Sequence, residues 1–136
     1  MRKKARAILN ALGSHDQDEL SLTLVDDLEI SVLNKSYLHR EGPTNVISFP
    51  MEDSCLNNPL IPRLLGDVVI SVEMAEREAS NAGVTVEERL SQLLIHGILH
   101  LFDYDHERSQ EDEIKMSLKS LELLRLIEIN TELDYF

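Results

Sequence analysis

Leu90, Leu93, Leu94, Ile98 and Leu101 recur at spacings of three and four, the periodicity of an α-helix over Val86–Leu101 with one face in a core. Thr85 opens this helix, and Glu88 three residues on gives the capping-box spacing. His96 and His100 stand four apart on it, about 40° from each other around the axis and about 6 Å along it. They face the same way. The turn from Phe102 to Asp105 ends the helix before His106, so a third imidazole approaches from another direction in the pattern H-x3-H-x5-H.

Three neutral imidazoles suit Zn²⁺ at about 2.0–2.1 Å, and three protein ligands with one open, water-holding position mark a catalytic rather than a structural site. Two histidines one turn apart also occur without any metal. Three of the five histidines within one short run are a stronger signal. The competing reading makes all three polar groups at a helix end, where an imidazolium also suits the helix dipole. His15 and His39 read as surface or partly buried residues without chemistry.

Around this helix the chain alternates strand and helix patterns. Residues 2–12 are helix-like up to Gly13, and Leu20 to Val25 alternate with Leu20, Leu22 and Leu24 on one face. Asp26 or Asp27 caps a second helix that runs to about Leu38. Gly42 and Pro43 turn the chain into the strand TNVISFP, and a third strand follows at Asp67 to Ser71. Ser71 or Val72 leads into a helix that Gly83 stops. Ser109 with Asp112 opens a last helix whose Ile114, Leu118, Leu121, Leu124 and Leu126 are expected to face inward.

Together these elements imply a single α+β domain spanning residues 1–136, with a small mixed sheet of three or four strands packed with about five helices. An α/β layer is the alternative, and sheet order does not follow from the sequence. The loop-rich interval is Met51 to Arg63. Hydrophobic residues are 43% of the chain but aromatics only 4%, so aliphatic side chains must fill the core.

The basic start lacks a cleavage site, no apolar run approaches the roughly 20 residues that span a bilayer, and Cys55 has no second cysteine to pair with. A cytoplasmic protein without a membrane partner is the expectation. The net charge of −12 opposes nonspecific attraction to a phosphate backbone and otherwise reads as solubility.

Gly97 stands where a zinc peptidase of the HExxH type carries its general-base Glu, so that mechanism lacks its base. A glycine inside a helix costs about 1 kcal/mol relative to Ala, which is understandable if substrate or another backbone approaches closely there. Asp103 occupies the turn position where those peptidases have Gly. Asp tolerates positive φ at modest cost.

Four segments in order, LNKSY (Leu33 to Tyr37), PTNVISFP (Pro43 to Pro50), LGDVVIS (Leu65 to Ser71) and HGILHLFDYDH (His96 to His106), make the chain resemble the YbeY family of bacterial single-strand endoribonucleases. The resemblance implies zinc bound by His96, His100 and His106, and a role in ribosomal RNA maturation and ribosome quality control, with RNA and the ribosome or its proteins as partners. Two departures stand out. Asp103 replaces the usual Gly, and Leu38 replaces an Arg that is regarded as functionally important in the family. Arg40, two residues on, is the candidate to reach the same space and clamp a phosphate; a solvated loop cation beside Glu41 is the alternative.

On this reading a bound Zn²⁺ polarises phosphate and provides hydroxide near neutral pH, while Arg40 stabilises developing charge. Asn45 and Ser48 are candidate substrate contacts. Asp67 and Asp105 are candidates to orient a ligand histidine through its second ring nitrogen, or else cap a strand and a turn. Lys35, Arg40 and Arg63 are the cations near the motifs, and Arg2, Lys3, Lys4 and Arg6 form a terminal cluster that reads as an extended RNA footprint or an ordinary exposed helix face. Two other functions stay open: a zinc hydrolase of another substrate class, peptides included, and a non-catalytic ribosome-associated module. Oligomeric state is not legible.

Overall fold

The computed structural model describes residues 1–14, 17–51, 64–104, 107–130 and 132–134. His15, Cys55, Arg63, Asp105 and His106 lie outside the described residues. In chain order the elements are α1 (Arg2–Ala11), β1 (Glu19–Val25), α2 (Asp27–Leu38), β2 (Val46–Pro50), β3 (Leu64–Ser71), α3 (Val72–Ala82), α4 (Val86–Leu101) and α5 (Gln110–Ile127). Among the described residues, five helices and a three-stranded mixed sheet make this an α+β domain.

The central strand is β3, with β1 parallel on one side and β2 antiparallel on the other. Its sequence LLGDVVIS is apolar on both faces, as a strand covered on both sides must be. Val68 and Ile70 join the larger core with Ile8 and Leu9 of α1, Leu93, Leu94, Ile98 and Leu99 of α4, and Leu123 and Leu124 of α5. Val69 joins a smaller core on the opposite face with Ile30 of α2 and Ile47 of β2. Two cores, one per face, leave α4 lying across β2 and β3.

Helix starts follow the side chains that can take their free amides. Asp26 is the N-cap of α2, its carboxylate accepting from Glu29 N at 2.8 Å. Asp27 is released for another task, accepting from Ser71 Oγ at 2.7 Å and pairing with Arg77 at 2.7 Å. Thr85 and Glu88 form a full capping box on α4, and Ser109 caps α5 through Asp112 N. Gly13 and Gly83 end α1 and α3 at φ of 78° and 71°.

The expected inward face of α5 is corrected. Ile114, Leu118 and Leu126 are 55%, 64% and 58% exposed, whereas Met116, Ser120, Leu123 and Leu124 are buried and Leu121 is half-buried. The helix offers two apolar rows at helical spacing, and contact with α4 and α1 selects the row through Met116. Leu24 is similarly 48% exposed, although Leu20 and Leu22 on the same face of β1 pack against the larger core.

Candidate metal centre and its cleft

The site is set by how closely α4 approaches the sheet. The β2–β3 register pairs Val46 with Ile70, Ser48 with Val68 and Pro50 with Gly66. By strand alternation these residues share the face under α4. A Cβ at Gly97 would lie 2.7 Å from Val68 Cγ1, 3.2 Å from Val46 Cγ2 and 3.3 Å from Ser48 Oγ. Glycine is therefore required by the sheet, and what approaches it is a set of side chains from β2 and β3 rather than the substrate or backbone expected from the sequence. Ser48 completes the contact by donating its hydroxyl to Gly97 O at 2.7 Å.

His96 and His100 flank this contact, half-buried, with ring centroids 4.6 Å apart and ring planes at 74°. Their Nε2 atoms are 3.1 Å apart. Two nitrogens bound to one zinc at about 2.05 Å with a near-tetrahedral angle stand about 3.3 Å apart, so the pair fits a shared ion. His106, the third expected ligand, lies outside the described residues, as does Asp105. Among the described residues no group of three His, Cys, Asp or Glu side chains is placed to hold a metal ion.

Both histidines open onto a cleft of about 410 Å³ whose other wall is the outer side of β2 and the loop before it, with Leu38, Arg40, Thr44, Asn45, Ser48 and Glu107 among its lining residues. Arg40 is brought to the cleft by a short, constrained loop. His39 ends α2 at φ 56°, Arg40 N donates to Asn34 O at 3.2 Å, and the buried Asn34 donates its Nδ2 to Gly42 O at 2.9 Å. Leu38 and Arg40 both line this cleft.

The remaining candidates divide. Asn45 lines the cleft while its Nδ2 donates to Glu78, and Ser48 lines it with its hydrogen committed to Gly97. Asp67 is not brought to the histidines: it pairs with Phe49 and alternates with Val68, so it belongs to the face of Val69 and α2. The two-residue period of β3 turns its carboxylate away from the face under α4, so it does not orient a ligand ring. Lys35 pairs with Glu41 at 3.6 Å. Lys4 is engaged with Ser91 and Glu128, and Arg2 and Arg6 line a separate groove between α1 and β1. The terminal basic cluster therefore does not extend the cleft.

Glu107 was missed by the sequence reading. Its one signal was its place directly after His106. Asp103, in contrast, adopts the positive φ expected of it, at 68°, and pairs with Arg108 at 2.9 Å.

A mixed sheet whose edge strand and covering helix enclose a cleft bearing a helical histidine pair defines a small α+β protein with a hydrolase-type polar site. The family model described as Endoribonuclease YbeY matches residues 1–128, and the chain belongs to this family. Curated relatives named Endoribonuclease YbeY include one from Geobacter metallireducens, 48% identical over 94% of this chain and 85% of its own, and one from Aquifex aeolicus, 44% identical over 85% of this chain and 73% of its own. A solution structure of a Thermotoga maritima protein matches with a TM-score of 0.63 and 25% identity, covering 91% of this chain and 76% of that one.

Proposed function

We propose that the chain is a zinc-dependent endoribonuclease of single-stranded RNA, acting in the cytoplasm on ribosomal RNA during its maturation and in ribosome quality control. Family membership supports the endoribonuclease role. The observation that carries the metal reading is the His96–His100 pair, with Nε2 atoms 3.1 Å apart on the wall of the cleft. His106 is the proposed third ligand. Bound zinc supplies polarisation of a phosphoryl oxygen and a nucleophile at neutral pH.

The chain's own groups then position the substrate. Arg40, which lines the same cleft as the histidines, offers a planar pair of donors to a phosphate. Ser48 and Gly97 hold the histidine helix to the cleft's edge strand. A peptidase reading is disfavoured on steric as well as chemical grounds. Its general-base Glu belongs at position 97, where even a Cβ would lie 2.7 Å from Val68.

The test is metal analysis paired with cleavage of single-stranded RNA and of unstructured peptides. The wild type is expected to bind one zinc and cut RNA, with His96→Ala and His100→Ala losing the metal and at least about 100-fold in rate. Full zinc content and unchanged RNA cleavage in both variants would sink the reading, and peptide cleavage with intact RNA would replace it. Zinc-replete protein that binds ribosomes and cuts no RNA would favour the non-catalytic module.

A further inference from the structure

Asn45 shares the cleft with His96, His100 and Arg40, and its carboxamide is held from behind. Its Nδ2 stands 3.3 and 3.2 Å from the two carboxylate oxygens of Glu78, and its backbone carbonyl accepts from Ser71 N at 2.9 Å. An ionised carboxylate has lone pairs and no hydrogen, so only the NH₂ end of a carboxamide can face it. The orientation of Asn45 is therefore dictated by the chemistry of its partner.

Glu78, on α3, is in turn fixed by Arg89 of α4, whose Nε and Nη2 donate to its Oε1 at 3.1 and 2.9 Å. Arg89 also donates to Gln92 Oε1 at 2.9 Å. The Arg89 and Glu78 side chains are 13% and 29% exposed, where an ion pair is less screened than on the open surface. The end of Asn45 turned away from Glu78 is Oδ1, which accepts no hydrogen bond among the described residues.

We infer that Asn45 is a specificity residue that reads a hydrogen-bond donor on the substrate, a ribose 2′-hydroxyl or a base N–H, and that Glu78 is the positioning residue that keeps its acceptor end toward the cleft. This rests on the endoribonuclease reading. A phosphodiester has only acceptors, so Asn45 adds nothing to phosphate binding and complements Arg40 instead. The 2′-hydroxyl is the group that separates RNA from DNA.

The test is stopped-flow fluorescence anisotropy on the zinc-loaded protein, read before cleavage, with single-stranded RNA, its all-2′-deoxy counterpart and RNA carrying abasic positions. Asn45→Ala is expected to weaken RNA binding about tenfold, the worth of a lost buried hydrogen bond. If the deoxy strand is unaffected by the substitution the donor is the ribose hydroxyl, and if an abasic strand is unaffected it is a base. Glu78→Gln is the sharper variant. Its Oε1 stays with Arg89 and its Nε2 replaces Oε2, so Asn45 Nδ2 loses the nearer of its two acceptors and meets an N–H there, which favours the carboxamide turned over with N–H toward the cleft. It should reproduce the loss seen with Asn45→Ala at nearly unchanged size.

Equal weakening of all three probes by Asn45→Ala, or wild-type discrimination in Glu78→Gln, overturns the inference. Thermal unfolding is followed for each variant. If Glu78→Gln does not fold, Asn45→Ala, which leaves the Glu78–Arg89 pair intact, still decides the acceptor role. A wild type that neither binds nor cuts RNA refutes the endoribonuclease reading itself, whereas a wild type that cuts RNA but discriminates no better than its variants refutes only this inference.

Discussion

At the scale of single residues, Gly97 carries the largest consequence for its size. Gly97→Ala gains up to about 1 kcal/mol of helix propensity. Against this stands a methyl group 2.7 Å from Val68 Cγ1, on a β-branched side chain buried in the central strand, which has nowhere to move. Overpacking of this kind costs about 1–3 kcal/mol, so denaturant titration should show net destabilisation, and RNA cleavage should fall as α4 lifts from β2. Asp103 gives a second case. At φ 68° its replacement by Val should cost about 1–2 kcal/mol, whereas Asp103→Gly should be nearly neutral, because the ion pair it removes is exposed. The histidine pair was legible in the sequence because helical spacing alone decides which way two residues four apart face. Neither Arg40 nor Asn45 could be placed that way. Arg40 reaches the cleft through the loop that Asn34 holds, and the Asn45 carboxamide takes its orientation from Glu78 on another helix.

Elements were read well where one short-range interaction decides them. The capping box of α4 and the Asp26 and Ser109 caps are local chemistry, visible as letters at fixed offsets. Thr85→Ala should lower stability by about 1 kcal/mol, measured by urea unfolding. The carboxyl of Glu88 is held below its usual range, first by the Thr85 amide and then by Asn130, and that of Asp27 first by the Ser71 hydroxyl and then by Arg77. A carboxyl more acidic folded than unfolded contributes fully above its unfolded value and loses that contribution as pH falls through the lowered one. The melting-temperature difference between wild type and Glu88→Gln should therefore persist at neutral pH, begin to shrink as pH falls below the ordinary glutamate value of about 4.3, and vanish only below the lowered folded value. The phase of α5 was misread because two apolar rows satisfy the same periodicity, and only packing against α1 and α4 distinguishes Leu123 from Leu118. Asp67 was misplaced for a related reason. Its motif position was visible, but the face it shares depends on pairing with β2.

Across the whole molecule the acidic balance and the cleft have to be reconciled. The chain carries a net charge of −12, and among the described residues lining the cleft Arg40 is the one permanently cationic side chain, with Glu107 opposing it. RNA binding should then depend weakly on salt: the log–log slope for single strands is about −0.7 per neutralised phosphate, so a value of about −0.7 is expected from Arg40 alone. A steep slope of about −4 or beyond would show that RNA reaches a basic surface away from the cleft. The hydroxyl of Ser48 on Gly97 O also bears on motion. Strand β2 and the histidine helix are clasped at Gly97, the residue after His96, so local opening of one drags the other. In native-state hydrogen exchange, amides of β2 and of the second half of α4 should exchange as one cooperative unit, and Ser48→Ala should split that unit in two.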